Sequence, residues 1–242
     1  MISLEVPELK FVQANLQPDI DTNKGLWDNN NVEFPKRLVN RVELGVPISQ
    51  PITAAMLEAD QELRDFRNSK AATSDFYLIH LACTFHPGDD DPFHEAWLIV
   101  NLKRFDQEKQ EKPIAWSMKP RIEGKDVKVT KELKLGGDLK LIDIGIVDIG
   151  VEGGGQRTIE TVNQEIFIQA FGEQQSEPYW EFRKPKGVEI RGSYRFAMIV
   201  KVPKDIKALA EVNAQATIKR KAWGITYSTD LENAPQLTAT MP

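Results

Sequence analysis

VEIRGSYRFAMIVKV, residues 188–202, decides the fold class. Its even positions are Val188, Ile190, Gly192, Tyr194, Phe196, Met198, Val200 and Val202, and its odd positions include Glu189, Arg191, Ser193, Arg195 and Lys201. A period of two marks a β-strand with one dry and one wet face. After PKDIK the pattern returns: Ala208, Ala210, Val212, Ala214, Ala216 and Ile218 alternate with Glu211, Asn213, Gln215 and Thr217. One-sided strands of this kind belong to antiparallel sheets. At ~3.3 Å per residue the first run would reach ~50 Å, beyond an ordinary strand. A bend or bulge is therefore expected near Gly192.

Working outward, SLEV near the start, LVNRVEL at 38–44, DFYLIHLACTF at 75–85 and EAWLIVNL at 95–102 also read as strands. VKVTKELKL at 127–135 leads through GGD into LKLIDIGIV, a hairpin signal because glycine supplies the positive φ of a short loop. EIFIQAF and YWEFR, flanking GEQQSEP, suggest a second hairpin with a longer loop. One stretch has helical spacing: Met56, Leu63 and Phe66, with Thr53 as N-cap and Pro51 blocking an earlier start. The expected fold is mainly β, an antiparallel β-sandwich-like architecture with long hairpins and one short helix at about 53–68.

The polar stretch RFDQEKQEKP, 104–113, divides the chain on one reading into two β subdomains. These would be 1–103 with the helix and 113–227 with a long basic hairpin, followed by a tail at 228–242. An extended loop inside a single domain, 1–227, accounts for the same residues.

Composition narrows function more than it names it. One cysteine, Cys83, permits no internal disulfide and no thiolate zinc cluster. MISLEVPELK does not read as a secretion signal, and no apolar run approaches the ~18 residues of a spanning helix. A cytoplasmic location is the expectation. The net charge of -5 is unevenly spread. Eleven basic side chains lie between Arg183 and Lys221, where only Glu189, Asp205 and Glu211 oppose them.

The nearest approach to a catalytic motif is HPGDDDPFHEAW, residues 86–97. His86, Asp89, His94 and Glu95 form a candidate metal set, since imidazole with carboxylate suits zinc or iron. Consecutive aspartates do not match an EF-hand loop. Turn chemistry explains the same residues as a soluble hairpin tip. His80 and Cys83, three apart on a strand, point to opposite faces and make no nucleophilic pair. Glycines in DIGVEGGGQRT, 148–158, lack the residues of a Walker loop and the spacing of a dinucleotide fingerprint. No cofactor is implied, and the balance lies against an enzyme.

The leading functional reading is a non-catalytic binding protein. Its contact surface would be the polar face of the late hairpin, Arg191, Arg195, Lys201, Lys219 and Lys221, docking an acidic protein partner. Homo-oligomers and an anionic membrane are further partners, whereas an acidic chain without a recognised motif fits nucleic acid poorly. The alternative is a membrane-active, pore-forming-like β protein that inserts an amphipathic hairpin. A metal-dependent enzyme ranks third.

Overall fold

A computed structural model describes residues 2–14, 17–18, 41–88, 92–105, 111–124, 130–146, 166–184, 189–222, 225–232 and 237–242. Among these residues the strands form three antiparallel sheets. The six-stranded sheet runs β2 (Phe11–Ala14), β4 (Val42–Gly45), β6 (Ser74–Phe85), β14 (Gly192–Pro203) and β8 (Ile114–Lys119), with β5 (Ile48–Pro51) also paired to β6. The eight-stranded sheet runs β3 (Gln17–Pro18), β16 (Ile225–Glu232), β15 (Ala208–Ala222), β7 (Phe93–Arg104), β13 (Tyr179–Arg183), β12 (Ile166–Phe171) and β9 (Ile122–Gly124). There β17 (Leu237–Met241) pairs the first half of β15 and β16 the second. Residues 228–242, read from sequence as a tail, thus contribute to two strands.

The two large sheets close face to face on one core. Tyr77, Ile79, Leu81, Cys83 and Phe85 of β6 and Phe196, Met198, Val200 and Val202 of β14 meet Ala96, Leu98 and Val100 of β7 and the even positions of β15. The mainly β, antiparallel, sandwich-like expectation holds. Strands from both sides of residues 104–113 share each large sheet: β7 lies between β13 and β15, and β6 lies beside β14.

The helix starts later than its spacing implied. A 3-10 turn occupies Ala55–Leu57, where the Thr53 hydroxyl accepts from the Met56 N–H at 3.4 Å. The α-helix α1 is Gln61–Lys70, capped by Asp60, whose carboxylate accepts from Leu63 N–H at 3.2 Å. Aspartate is the stronger cap because its charge also meets the positive end of the helix. The strand break expected near Gly192 is present: Gly192 has φ +102, and β14 begins there rather than at 188.

A third layer lies outside the sandwich. β10 (Thr130–Gly136) and β11 (Lys140–Ile146) form the hairpin expected around GGD, with the positive φ carried by Asp138 and Leu139 rather than by the glycines, and β1 (Ile2–Ser3) adds a strand to β10. Together with α1 this layer covers the outer face of the six-stranded sheet, with its own apolar cluster. Leu135, Leu139 and Leu141 of the hairpin and Leu63 of α1 pack with Phe76 and Leu78 of β6 and Ala197 and Ile199 of β14. β6 and β14 are therefore buried on both faces over their central residues, which is why DFYLIHLACTF carries no clean alternation.

Candidate functional site on the outer face of the six-stranded sheet

The five basic residues read as one docking face do not form one. β14 pairs with β6 and β8, whereas β15 pairs with β7, β16 and β17. The two strands belong to opposite sheets, so they are not a hairpin. Lys219 and Lys221 lie on β15 in the eight-stranded sheet. Arg195 and Lys201 stand on the outer face of β14, and Arg191, just before it, pairs with Glu189 at 3.2 Å. Alternation reports which residues face inward and carries no information about the partner strand, so parity alone does not place residues of two strands on one surface.

The histidine-acid stretch also takes a different place. β6 and β7, which flank it, lie in different sheets, so it crosses between layers and is not a hairpin tip. Phe85 and Phe93 pin the crossing edge to face, with ring centres 5.5 Å apart. His86 is held by Arg41: its N–H donates to Arg41 O at 2.8 Å, and Arg41 Nε donates to His86 O at 2.7 Å. The His86 ring lies 3.5 Å from the Glu43 carboxylate. His94 is on β7, where its carbonyl accepts from Lys184 N–H at 3.2 Å, and Glu95 stands opposite Arg183 and Thr217. Asp89 and residues 148–158 lie outside the described residues. Among the described residues no three histidine, cysteine or acidic side chains converge as a metal set. Cys83 is fully buried in the sandwich core, and burial pushes its thiol well above the ordinary range.

The polar chemistry instead collects where the outer layer meets the sheet. Outward-facing positions of β14 run Ser193, Arg195, Ala197, Ile199 and Lys201. The hairpin covers Ala197 and Ile199, leaving a cation at each border of its footprint. Polar contacts fasten the layer: Leu141 N–H donates to Ser117 Oγ at 3.0 Å, and Trp116 Nε1 donates to Asp138 O at 2.6 Å. Lys140 and Lys201 approach the Trp116 ring at 5.8 and 5.7 Å, within cation–π range. Phe66 of α1 lies 6.1 Å from Trp116 and 6.2 Å from Phe76. A signal for this site was present in the sequence: β6 is apolar at both parities, which asks for cover on both faces.

His80 belongs to the same seam. It is the one even position of central β6 that is strongly polar, it is 1% exposed, and its Nε2 has no hydrogen-bond partner among the described residues. Burial lowers its pKa below the ordinary 6.5, because the imidazolium is poorly solvated there. The unfolded chain therefore takes up the proton first. Stability is full above about 6.5 and falls as acid is added through it. A His80→Phe chain is expected to lose less stability than the wild type between about pH 7 and 5, by at most about 1.4 kcal/mol per pH unit. Urea denaturation across that range measures the difference.

No protein-family model matches the chain, and no curated protein matches it. Among described residues no helix is long and apolar enough to cross a membrane. Two solved structures give weak overlaps. The NetB toxin of Clostridium perfringens in its membrane-inserted form is 8% identical, over 96% of this chain and 94% of that one, with a TM-score of 0.32. A structure described as a pore forming protein is 7% identical, over 82% of this chain and 90% of that one, with a TM-score of 0.25. Neither score reaches the level at which two chains share a fold.

Proposed function

We propose that the protein acts on membranes by delivering the β10–β11 hairpin to an anionic bilayer while the two-sheet sandwich stays folded. The observation that carries this reading is the separate outer cluster: the hairpin can leave without opening the core between the large sheets. The late strands β14 and β15 are unsuited to that role, since each is central to its sheet. Length supports the hairpin too. VKVTKELKL and LKLIDIGIV each run nine residues, near the ~9–11 of a membrane-crossing strand. Arg195 and Lys201 at the borders of the footprint would meet anionic headgroups on the side from which the hairpin departs.

A reversible tether tests this. A Cβ at Gly137 would stand 3.0 Å from a Glu62 carboxylate oxygen, so cysteines in an E62C/G137C chain come close enough to bridge the hairpin tip to α1. A short bis-methanethiosulfonate joins them and spares the buried Cys83. The wild type is expected to release dye from phosphatidylserine-containing vesicles, the bridged chain to release none, and reductant to restore release. Silence from the wild type, or release that ignores the bridge, overturns the reading. Intact vesicles together with a salt-released acidic protein would favour docking instead.

A further inference from the structure

A cleft of about 220 Å³ opens at the seam between the outer layer and the six-stranded sheet, lined by His80, Lys119, Glu123, Leu133, Arg195 and Ala197, among others. Its floor follows from the strand register. Ala197 of β14 stands directly opposite His80 of β6 on one side and Lys119 of β8 on the other. Residues directly opposite in neighbouring strands point to the same face, so the three form one row across three strands. The central member is an alanine. With neighbouring strands ~4.8 Å apart, a methyl group between two long side chains leaves a depression. Arg195, two positions along β14, shares the face of that row, and Leu133 of β10 forms an apolar wall.

Two observations turn this depression into a site. The first is His80, almost wholly buried yet with an Nε2 that lacks a partner among the described residues. Buried polar atoms in folded proteins are nearly always satisfied, and one left open at the floor of a cleft invites a ligand atom. The second is Arg195: it is exposed, and no hydrogen bond or ion pair engages its guanidinium among the described residues. A planar, permanently charged fork beside a buried donor is suited to a carboxylate. The volume falls below the ~300–1,000 Å³ of sites for drug-sized molecules, so the ligand is small.

We propose that this cleft binds a small organic anion, a monocarboxylate with a short apolar body. Arg195 takes the charged head, His80 Nε2–H donates to one of its oxygens, and the apolar body lies against Leu133 and Ala197. The imidazole takes part as a neutral donor, in keeping with its burial. The proposal does not rest on the hairpin's action on lipid, and because Leu133 belongs to β10 the site is that of the docked hairpin.

Benzoate is the probe, and the His80 ring is the reporter. The chain has three histidines, so long-range nitrogen–proton spectra of the imidazoles resolve His80 once His86→Gln and His94→Gln chains assign the other two. Benzoate is expected to shift the His80 signals saturably, and benzamide, the same shape without the charge, to leave them in place. Arg195→Gln lies on an exposed side chain and keeps the fold. It is expected to weaken benzoate by roughly tenfold or more, the usual loss for a charge-assisted pair. An unmoved His80, an equal response to benzamide, or undiminished benzoate binding in Arg195→Gln each overturns the proposal.

Discussion

A Leu141→Asp chain is expected to keep its sandwich and lose its outer layer. Leu141 is 3% exposed, and its backbone N–H is donated to Ser117 Oγ. A carboxylate held there without a partner would cost several kcal/mol. The chain can escape that cost by letting the hairpin lift, because the cluster holding it is separate from the core between the large sheets. Hydrogen exchange followed by mass spectrometry is the measurement. Protection over 130–146 is expected to fall by orders of magnitude, while peptides from β7 and β15 keep theirs. The same chain is expected to release vesicle contents faster than the wild type. Uniform loss of protection across all three sheets would mean that the layer and the sandwich unfold as one unit, and the outer cluster would not then be separable.

Trp180→Ala is expected to act on the other core, with the opposite distribution. Trp180 is fully buried on β13, its ring centre lies 4.9 Å from that of Phe196, and its Nε1 donates to Pro120 O at 2.9 Å. Removing the ring leaves a cavity between the two large sheets, at a cost of about 3–5 kcal/mol. It also strands a carbonyl that has lost its donor. The urea midpoint is expected to drop by about 1 M or more, with the slope unchanged if unfolding stays two-state. A drop smaller than a few tenths of a molar would mean that β13 contributes little to the sandwich. Comparing the two chains separates the layer from the scaffold.

Much of the fold was legible because hydrophobic alternation is a local property. The period of two in 188–202 and 208–218 marked β14 and β15, GGD marked the β10–β11 hairpin, and EIFIQAF with YWEFR marked the β12–β13 pair, where Phe171 stands opposite Tyr179. Sheet membership was not legible, because it depends on which distant strands compete for an edge. PKDIK is short enough for a hairpin, yet β14 matches β6 along its whole length and β15 finds β7. Those non-local ladders outweigh the local turn. For the same reason the strands carrying the five cations, and those flanking HPGDDDPFHEAW, lie in different sheets although they are neighbours in sequence. In the sequence His80 stood out only as a neighbour of Cys83 on the opposite strand face. Its role depends on Ala197 and Lys119 standing across from it, and nothing within five residues of position 80 announces that.

The two-sided burial of β6 and β14 bears on how such a chain can change over generations. A substitution at Phe76 or Ile199 has to suit the helix-and-hairpin cover, while one at the next position has to suit the eight-stranded sheet. These two strands are therefore expected to drift most slowly. The cover answers only to the face beneath it, and among the described residues it is built from three pieces: β1, the 3-10 turn with α1, and the β10–β11 hairpin. Descendants could trade those insertions for others of similar apolar footprint, so one inherited scaffold would come to carry differently equipped covers.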